Sequence, residues 1–386
     1  MSLSSKILIA ILCLHFVLAG VYWHLTPYGS PPDEGPHGLY VQKLVTGHHL
    51  PVFDPADRNN YEAHQPPLYY VLGTPFYLLG GQIAVRLLSM ILGALSILVI
   101  YRAVVIGFDD ERLALGAAGF AAFLPTHVML SSMVGNDILA ELIFGLALML
   151  MVSRPSAWNS IALGVVLGLG LLTKTTCILL FPVAILALIW VRRRSAGHFA
   201  GILGIGLLIG GWWLVRNQAL YGDPFAMKQF VQAFQQTAKP DYWLNQGFSP
   251  AMYWTLVGVW TFASFWGVFG HMNQFMPTWV YVGLGAATLA AKIGWFKGVR
   301  TMAERRTLML YLVVLVLVVL AFVKFNMSFF QAQGRYLYPA ILPLSVGWVL
   351  GIRALLPKRM HSWTPYAAMT IPLAAQIPAL ITLGGF

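Results

Sequence analysis

Apolar residues gather into long, nearly uninterrupted runs near 6–24, 82–107, 113–130, 138–153, 159–173, 175–191, 198–215, 277–295, 307–324, 337–355 and 364–382. About twenty such residues in a helix cross a bilayer core. The pattern predicts an all-α polytopic membrane protein of about eleven transmembrane helices. The first run follows Lys6 like the core of a signal peptide, but it continues to Trp23 with no small-x-small cleavage site before it, and so reads as an uncleaved span. A twelfth run, 250–270, is aromatic and rich in glycine.

Lys and Arg concentrate in cytoplasmic connections. With the N-terminus inside, the inner connections hold Arg112, Arg154, Arg192, Arg193, Arg194, Lys297, Arg300, Arg305, Arg306, Lys358 and Arg359. That assignment holds only if 250–270 does not cross, so an interfacial or re-entrant helix on the outer face is expected there. Two long outer loops remain, 25–80 and 216–276. Loops of that length are usually functional. The first carries an amphipathic stretch after Pro36, suited to lie in the plane of the membrane. Residues 1–386 read as a single membrane domain with no separate soluble domain.

Composition narrows the function. Of 386 residues, 58% are hydrophobic and only 10% charged, with a mean hydropathy of +0.72. This excludes a soluble globular domain, a disordered chain and a nucleic-acid-binding domain despite the formal charge of +11. Cys13 and Cys177 sit in apolar runs and form neither a zinc nor a disulfide pattern. Nine of the thirteen acids fall on or near the outer side, which the positive-inside rule does not itself require. Chemistry on that face would explain them.

Three polar clusters stand out. Pro31-Pro32-Asp33-Glu34-Gly35-Pro36-His37 places adjacent carboxylates just before a proline suited to the first turn of a helix, where anions are stabilised. Such carboxylates could accept a proton from an incoming hydroxyl, bind a divalent cation, or simply cap the helix. Tyr61-Glu62-Ala63-His64-Gln65-Pro66-Pro67-Leu68-Tyr69-Tyr70 closes the same loop and offers further donors and acceptors. Asn136-Asp137 lies between two apolar runs, where either residue would make a good N-cap. If Asp137 approaches Asp33 and Glu34, the carboxylates with His37 or His64 would suit magnesium or manganese. Outer cations are few: Lys174 in Leu-Leu-Thr-Lys-Thr-Thr, Arg216 after Trp212-Trp213-Leu214-Val215, and Arg335 in Gln333-Gly334-Arg335-Tyr336. Charges at a membrane boundary are functional candidates, and Arg suits bidentate contact with phosphate. Together these residues fit a lipid phosphate held by cations, with an acid nearby to activate an acceptor.

The acidic pair with His37, then Gln65-Pro66-Pro67-Leu68-Tyr69-Tyr70, then Asn136-Asp137, resembles the GT-C membrane glycosyltransferases, in the branch of protein O-mannosyltransferases and lipid A aminoarabinose transferases. Leu172-Thr173-Lys174, the segment from Trp212 to Asn217 with Tyr221-Gly222-Asp223-Pro224, and Gly334-Arg335-Tyr336 strengthen the resemblance. It implies a polyprenyl-phosphate sugar donor, inverting transfer, and an active site at the outer face of the plasma (inner) membrane in cell-envelope synthesis. By position, Asp33 would be the catalytic base. Glu34 and Asp137 would orient the acceptor or bind a metal, with His37, His64 and Glu62 as further candidates. Lys174, Arg216 and Arg335 would hold the donor phosphate, and Gln65, Tyr69, Asn136 and Tyr336 would line the pocket. The acceptor is not specified. A flippase for lipid-linked sugars, binding the same phosphate without transfer, is the rival reading; a non-catalytic assembly partner is a third.

Overall fold

Inside a bilayer the backbone must satisfy its own hydrogen bonds, so apolar runs become helices. A computed structural model, which describes residues 2–30, 32–190, 196–235, 237–295 and 302–385, places a helix on each of the twelve runs. Arg192, Arg193, Arg194, Lys297 and Arg300 lie outside the described residues. The chain runs through α1 (Leu3–Leu25), α2 (Glu34–Gly47), α3 (Leu68–Ala84), α4 (Arg86–Phe108), α5 (Glu111–Ala122), α6 (Pro125–Ser131) and α7 (Asp137–Val152). It continues through α8 (Ala157–Leu171), α9 (Leu180–Trp190), α10 (Ala196–Tyr221), α11 (Met227–Ala233), α12 (Pro240–Asn245) and α13 (Pro250–Trp266). A short antiparallel hairpin, β1 (Val268–Phe269) and β2 (Gln274–Phe275), precedes α14 (Thr278–Trp295), α15 (Met302–Asn326), α16 (Ile341–Leu355) and α17 (Thr364–Gly384).

This is an all-α multi-pass membrane protein. Among the described residues six helices are long and apolar enough to cross a membrane, or seven if α5 and α6 form one broken span. That is fewer than the eleven expected. The shortfall comes from helices that stop early, such as α7 at 16 residues and α8 at 15. Their ends at Asp137 and Leu171 give way to the irregular segments that carry Asn136 and Lys174. Irregular backbone is tolerated at membrane depth where protein buries it or a cavity meets it. The 69° break between α5 and α6 has a local cause, since Leu124 is extended ahead of Pro125 and Pro125 opens α6. The α13 helix, 17 residues long, is not among the candidate spans.

Close packing depends on small residues. The α14 and α16 helices meet at backbone contact, so a Cβ on Gly351 would lie 2.0 Å from the Ala291 carbonyl oxygen. The α8 and α10 helices approach in the same way through Gly168 and Gly210. Alternating helix direction separates the polar groups to two ends. At one end Ser4 donates to Glu111 at 2.5 Å and Arg353 to Asp110 at 2.7 Å. The other end holds the loop after α1, the start of α7, the end of α8 and the turn before α16. The first outer loop, expected at 25–80, is therefore largely structured, with α2, a 3-10 turn at Arg58–His64 and most of α3 inside it.

Candidate active site

The first loop is fixed by a buried ion pair. Arg86 opens α4 as a lone cation beside an apolar run, and both it and Glu34 are fully buried. The guanidinium grips Glu34 with two bonds, Nε to Oε1 at 2.7 Å and Nη2 to Oε2 at 2.6 Å. It also donates to the carbonyls of Trp23, Thr26 and Pro27 at 2.9–3.2 Å. The Glu34 carboxylate accepts two further bonds, from the backbone N–H of Val134 at 3.0 Å and of Gly29 at 2.9 Å. Its lone pairs are thus spent on structure. Glu34, expected to orient the acceptor or bind a metal beside the base Asp33, instead ties α2 to α1, α4 and the turn before α7.

Holding Glu34 this way directs Asp33 elsewhere. Asp33 has left-handed backbone dihedrals, φ 61° and ψ 16°, and its side chain makes no capping bond to α2. Asp tolerates that conformation better than most residues, at a cost the surroundings must repay. Its carboxylate receives Tyr61 Oη at 2.7 Å on Oδ1 and Arg335 Nη2 at 2.8 Å on Oδ2. Arg335 reaches across to Asp137 Oδ2 at 3.4 Å, and Lys174 Nζ donates to the other oxygen of Asp137. Asp33, Asp137, Lys174 and Arg335, separated by up to 302 positions in sequence, therefore form one alternating charge network. Neither Asn136 nor Asp137 serves as a capping side chain: α7 has no side-chain cap bond, and the Asn136 amide donates to Gln65 Oε1 and the Thr173 carbonyl, both at 3.3 Å.

Arg335 is positioned by a close approach. A Cβ on Gly334 would lie 2.2 Å from the Phe265 nitrogen, so only glycine lets the turn press against α13. There the Gly334 N–H donates to Ser264 Oγ at 2.7 Å. Gln333 Oε1 accepts from Arg335 Nε at 2.7 Å, and the Tyr336 ring stands 5.1 Å from the guanidinium carbon.

The network sets proton affinities. Burial alone would raise the Asp33 pKa, but Arg335, His37 and the Tyr61 hydroxyl outweigh it and bring it down to about 2. Glu62 goes the other way: burial, reinforced by the Asp33 charge, pushes it up to about 8. Its Oε2 has no hydrogen-bond partner and lies 3.8 Å from His37 Nδ1. Burial lowers both His37 and His64 to about 4. His37 pairs with the Tyr70 hydroxyl at 2.8 Å, and Tyr70 in turn stacks on Tyr40 at 3.8 Å. His64 binds the Tyr61 carbonyl, and Tyr69 bridges Ser89 Oγ at 2.7 Å and the Gly135 N–H at 3.1 Å. These contacts lie on the first loop and the start of α3, among the residues that hold the segments bearing Asp33 and Asp137.

Asp33 and Arg335 face a cavity of about 210 Å³, walled also by Gln333, Ser264 and the hairpin turn at Gly270–Met272. Residues 64–211 match the family model described as dolichyl-phosphate-mannose-protein mannosyltransferase. No curated protein matches the chain by sequence. Among solved structures, ArnT from Cupriavidus metallidurans bound to undecaprenyl phosphate superimposes with a TM-score of 0.61 at 15% identity, covering 99% of this chain and 72% of that one. The apo state of the same protein gives 0.55 at 14% identity, covering 99% and 76%. The chain therefore shares the all-α membrane fold of ArnT.

The carboxylates that the sequence offered for a divalent cation are engaged within the protein. Among the described residues no three His, Cys, Asp or Glu side chains are grouped to hold a metal. The two carboxylates that approach each other, Asp33 and Asp137, are bridged and neutralised by Arg335 and Lys174. Arg216 is held by other partners, although its Nη1 has none. Its Nη2 donates to the Pro51 carbonyl at 3.0 Å and its guanidinium lies over Trp213 at 4.8 Å, which braces the first loop against α10. Arg216 thus stands apart from the cavity that holds Asp33 and Arg335.

Three contributors to the site escaped the sequence reading. Tyr61 and Gln333 were quoted only as neighbours of other candidates. Arg86 carried the clearest signal, a single cation opening an apolar helix.

Proposed function

We propose that the protein transfers a sugar from a polyprenyl-phosphate donor to an acceptor hydroxyl at the outer face of the membrane, with inversion and with Asp33 as general base. The observation that carries the reading is the Asp33–Arg335 contact, 2.8 Å, on the wall of one cavity. It places a proton acceptor beside a cation suited to phosphate. The same fold in ArnT was solved with undecaprenyl phosphate bound. Arg112, Arg154, Lys358 and Arg359 belong to connections at the opposite end of the bundle, which supports an outer placement of the site.

In this mechanism the acceptor oxygen bonds to the anomeric carbon as its proton passes to the Asp33 carboxylate. The anomeric carbon–oxygen bond breaks and its electron pair leaves with the polyprenyl phosphate, whose charge Arg335 and Lys174 stabilise. A carboxylate held near pKa 2 is a weak base. The incoming phosphate supplies the remedy: it draws the guanidinium away from Asp33, and burial then raises the basicity of the released carboxylate. Donor binding therefore arms the base. The test is transfer from undecaprenyl-phosphate sugars by the full-length protein in membranes, read by mass spectrometry of lipid and glycan products. Asp33→Asn should abolish transfer while folding and insertion persist. Transfer at the parental rate by the folded variant would reject Asp33 as base.

A further inference from the structure

The cavity that holds Asp33 and Arg335 adjoins a second, larger one of about 330 Å³, and Met129, Gly270 and His271 line both. The second lies between the segment after α1, the hairpin and Leu383 near the end of α17. Their chemistries differ sharply. The first presents a carboxylate and a guanidinium, whereas among the described residues no Asp, Glu, Lys or Arg lines the second. Its lining includes instead Thr26, Tyr28, Ser30, Asn273 and Gln274, beside Phe269 and Leu383. Thr26 is only 8% exposed, yet its hydroxyl has no hydrogen-bond partner in the protein. Buried hydroxyls are normally paired, so this one has capacity left for a bound group.

The hairpin that separates the two cavities is built to hold its shape. At its base the Tyr281 hydroxyl donates to the Gly267 carbonyl at 2.6 Å and accepts from the Met276 N–H at 3.0 Å. At its tip, Gly270 and Met272 both adopt positive φ, 58° and 61°, which makes the tight turn that carries His271 and Asn273. A phosphate or carboxylate entering the second cavity would lose its hydration with only His271, and no Lys or Arg among the described residues, to meet it. A polyol would exchange water for hydroxyl and amide partners and lay its C–H surface on Phe269 and Leu383.

We propose that the second cavity is the acceptor subsite and that the acceptor is a neutral saccharide. This rests on the glycosyltransfer reading above and names its second substrate: one saccharide hydroxyl passes the shared wall at His271 to reach Asp33. The full-length protein in lipid nanodiscs is tested against arrayed neutral oligosaccharides and their phosphorylated and uronic-acid counterparts, with undecaprenyl phosphate binding followed in parallel by native mass spectrometry. Neutral glycans should be retained in preference to acidic ones. Thr26→Val and Asn273→Ala, each removing one polar partner, should weaken that retention about tenfold and leave undecaprenyl phosphate binding unchanged. Preference for the acidic glycans, no retention of neutral ones, or full retention by both variants would overturn the acceptor assignment while lipid phosphate still binds. Failure of the parent protein to bind undecaprenyl phosphate would overturn the transferase reading, and the acceptor assignment with it.

Discussion

Replacing Glu34 separates a structural carboxylate from a catalytic one. Its two oxygens hold Arg86 by bonds of 2.7 and 2.6 Å and receive two backbone N–H groups, all without solvent exposure. Glu34→Ala leaves a buried guanidinium with three carbonyl acceptors and no counter-charge. Breaking such a pair costs about 3–5 kcal/mol, of which the two lost charge-assisted bonds account for most at about 1.5–3 kcal/mol each. Glu34→Gln keeps the shape but turns an amide donor toward a guanidinium donor, so its cost falls below that range, at about 2–3 kcal/mol. The double variant Glu34→Met with Arg86→Met removes both charges and should recover part of the loss, because a buried pair can be exchanged for apolar volume at little cost. Recovery stays incomplete, since the carbonyls of Trp23, Thr26 and Pro27 lose their donor. The assay is the thermal unfolding midpoint of the full-length protein in detergent, paired with sugar transfer per folded molecule. The expected order of stability is parent, double variant, then Glu34→Ala, with transfer per folded molecule near the parental rate in Glu34→Gln. An unchanged midpoint in Glu34→Gln together with abolished transfer would refute the structural assignment.

Other consequences can be checked in the same preparations. Arg335→Lys keeps a charge but cannot span Asp33 and Asp137, so undecaprenyl phosphate binding should weaken by about 1.5–3 kcal/mol in a titration; unaltered affinity would remove Arg335 from the donor site. Glu62 is raised from 4.5 to about 8 in the folded protein, so the folded state keeps a proton that the unfolded chain releases, and this contribution is lost as pH climbs through that window. Glu62→Gln should therefore raise the midpoint more at pH 8.5 than at pH 5, and equal shifts at both would contradict the buried neutral acid. Gly334→Ala pushes the turn off Phe265 and should reduce transfer far more than stability, as read by comparing rate with midpoint. Gly351→Ala drives α16 from Ala291 and should cost about 1–3 kcal/mol through overpacking, visible as a lower midpoint.

Much of this molecule was legible in its sequence, and the part that was not has definite causes. Periodic apolar runs located the principal helices because bilayer burial leaves little choice of backbone. Helix length was less legible: α7 and α8 end where Asn136 and Lys174 must leave the helix, a requirement that depends on partners far along the chain. The identity of Asp33, Asp137, Lys174 and Arg335 as candidates followed from charge at a membrane boundary, but their mutual pairing depends on a separation of up to 302 residues that no local pattern encodes. Adjacent Asp33 and Glu34 looked alike in sequence. The left-handed backbone at Asp33 sends the two carboxylates to different neighbours, one into a cavity and one into Arg86. The contacts of Arg216 with Pro51 and Trp213 were illegible for a similar reason, since local context does not encode them.

The contact of Gly334 with α13 has a mechanical consequence. Because no side chain cushions that junction, the turn bearing Arg335 and the helix leading into the hairpin meet backbone to backbone, as one bracket. Residues at the tip of the hairpin can be exchanged to admit a different molecule without disturbing the alignment of the cation. Such a bracket lets selectivity diversify while the reaction centre stays fixed.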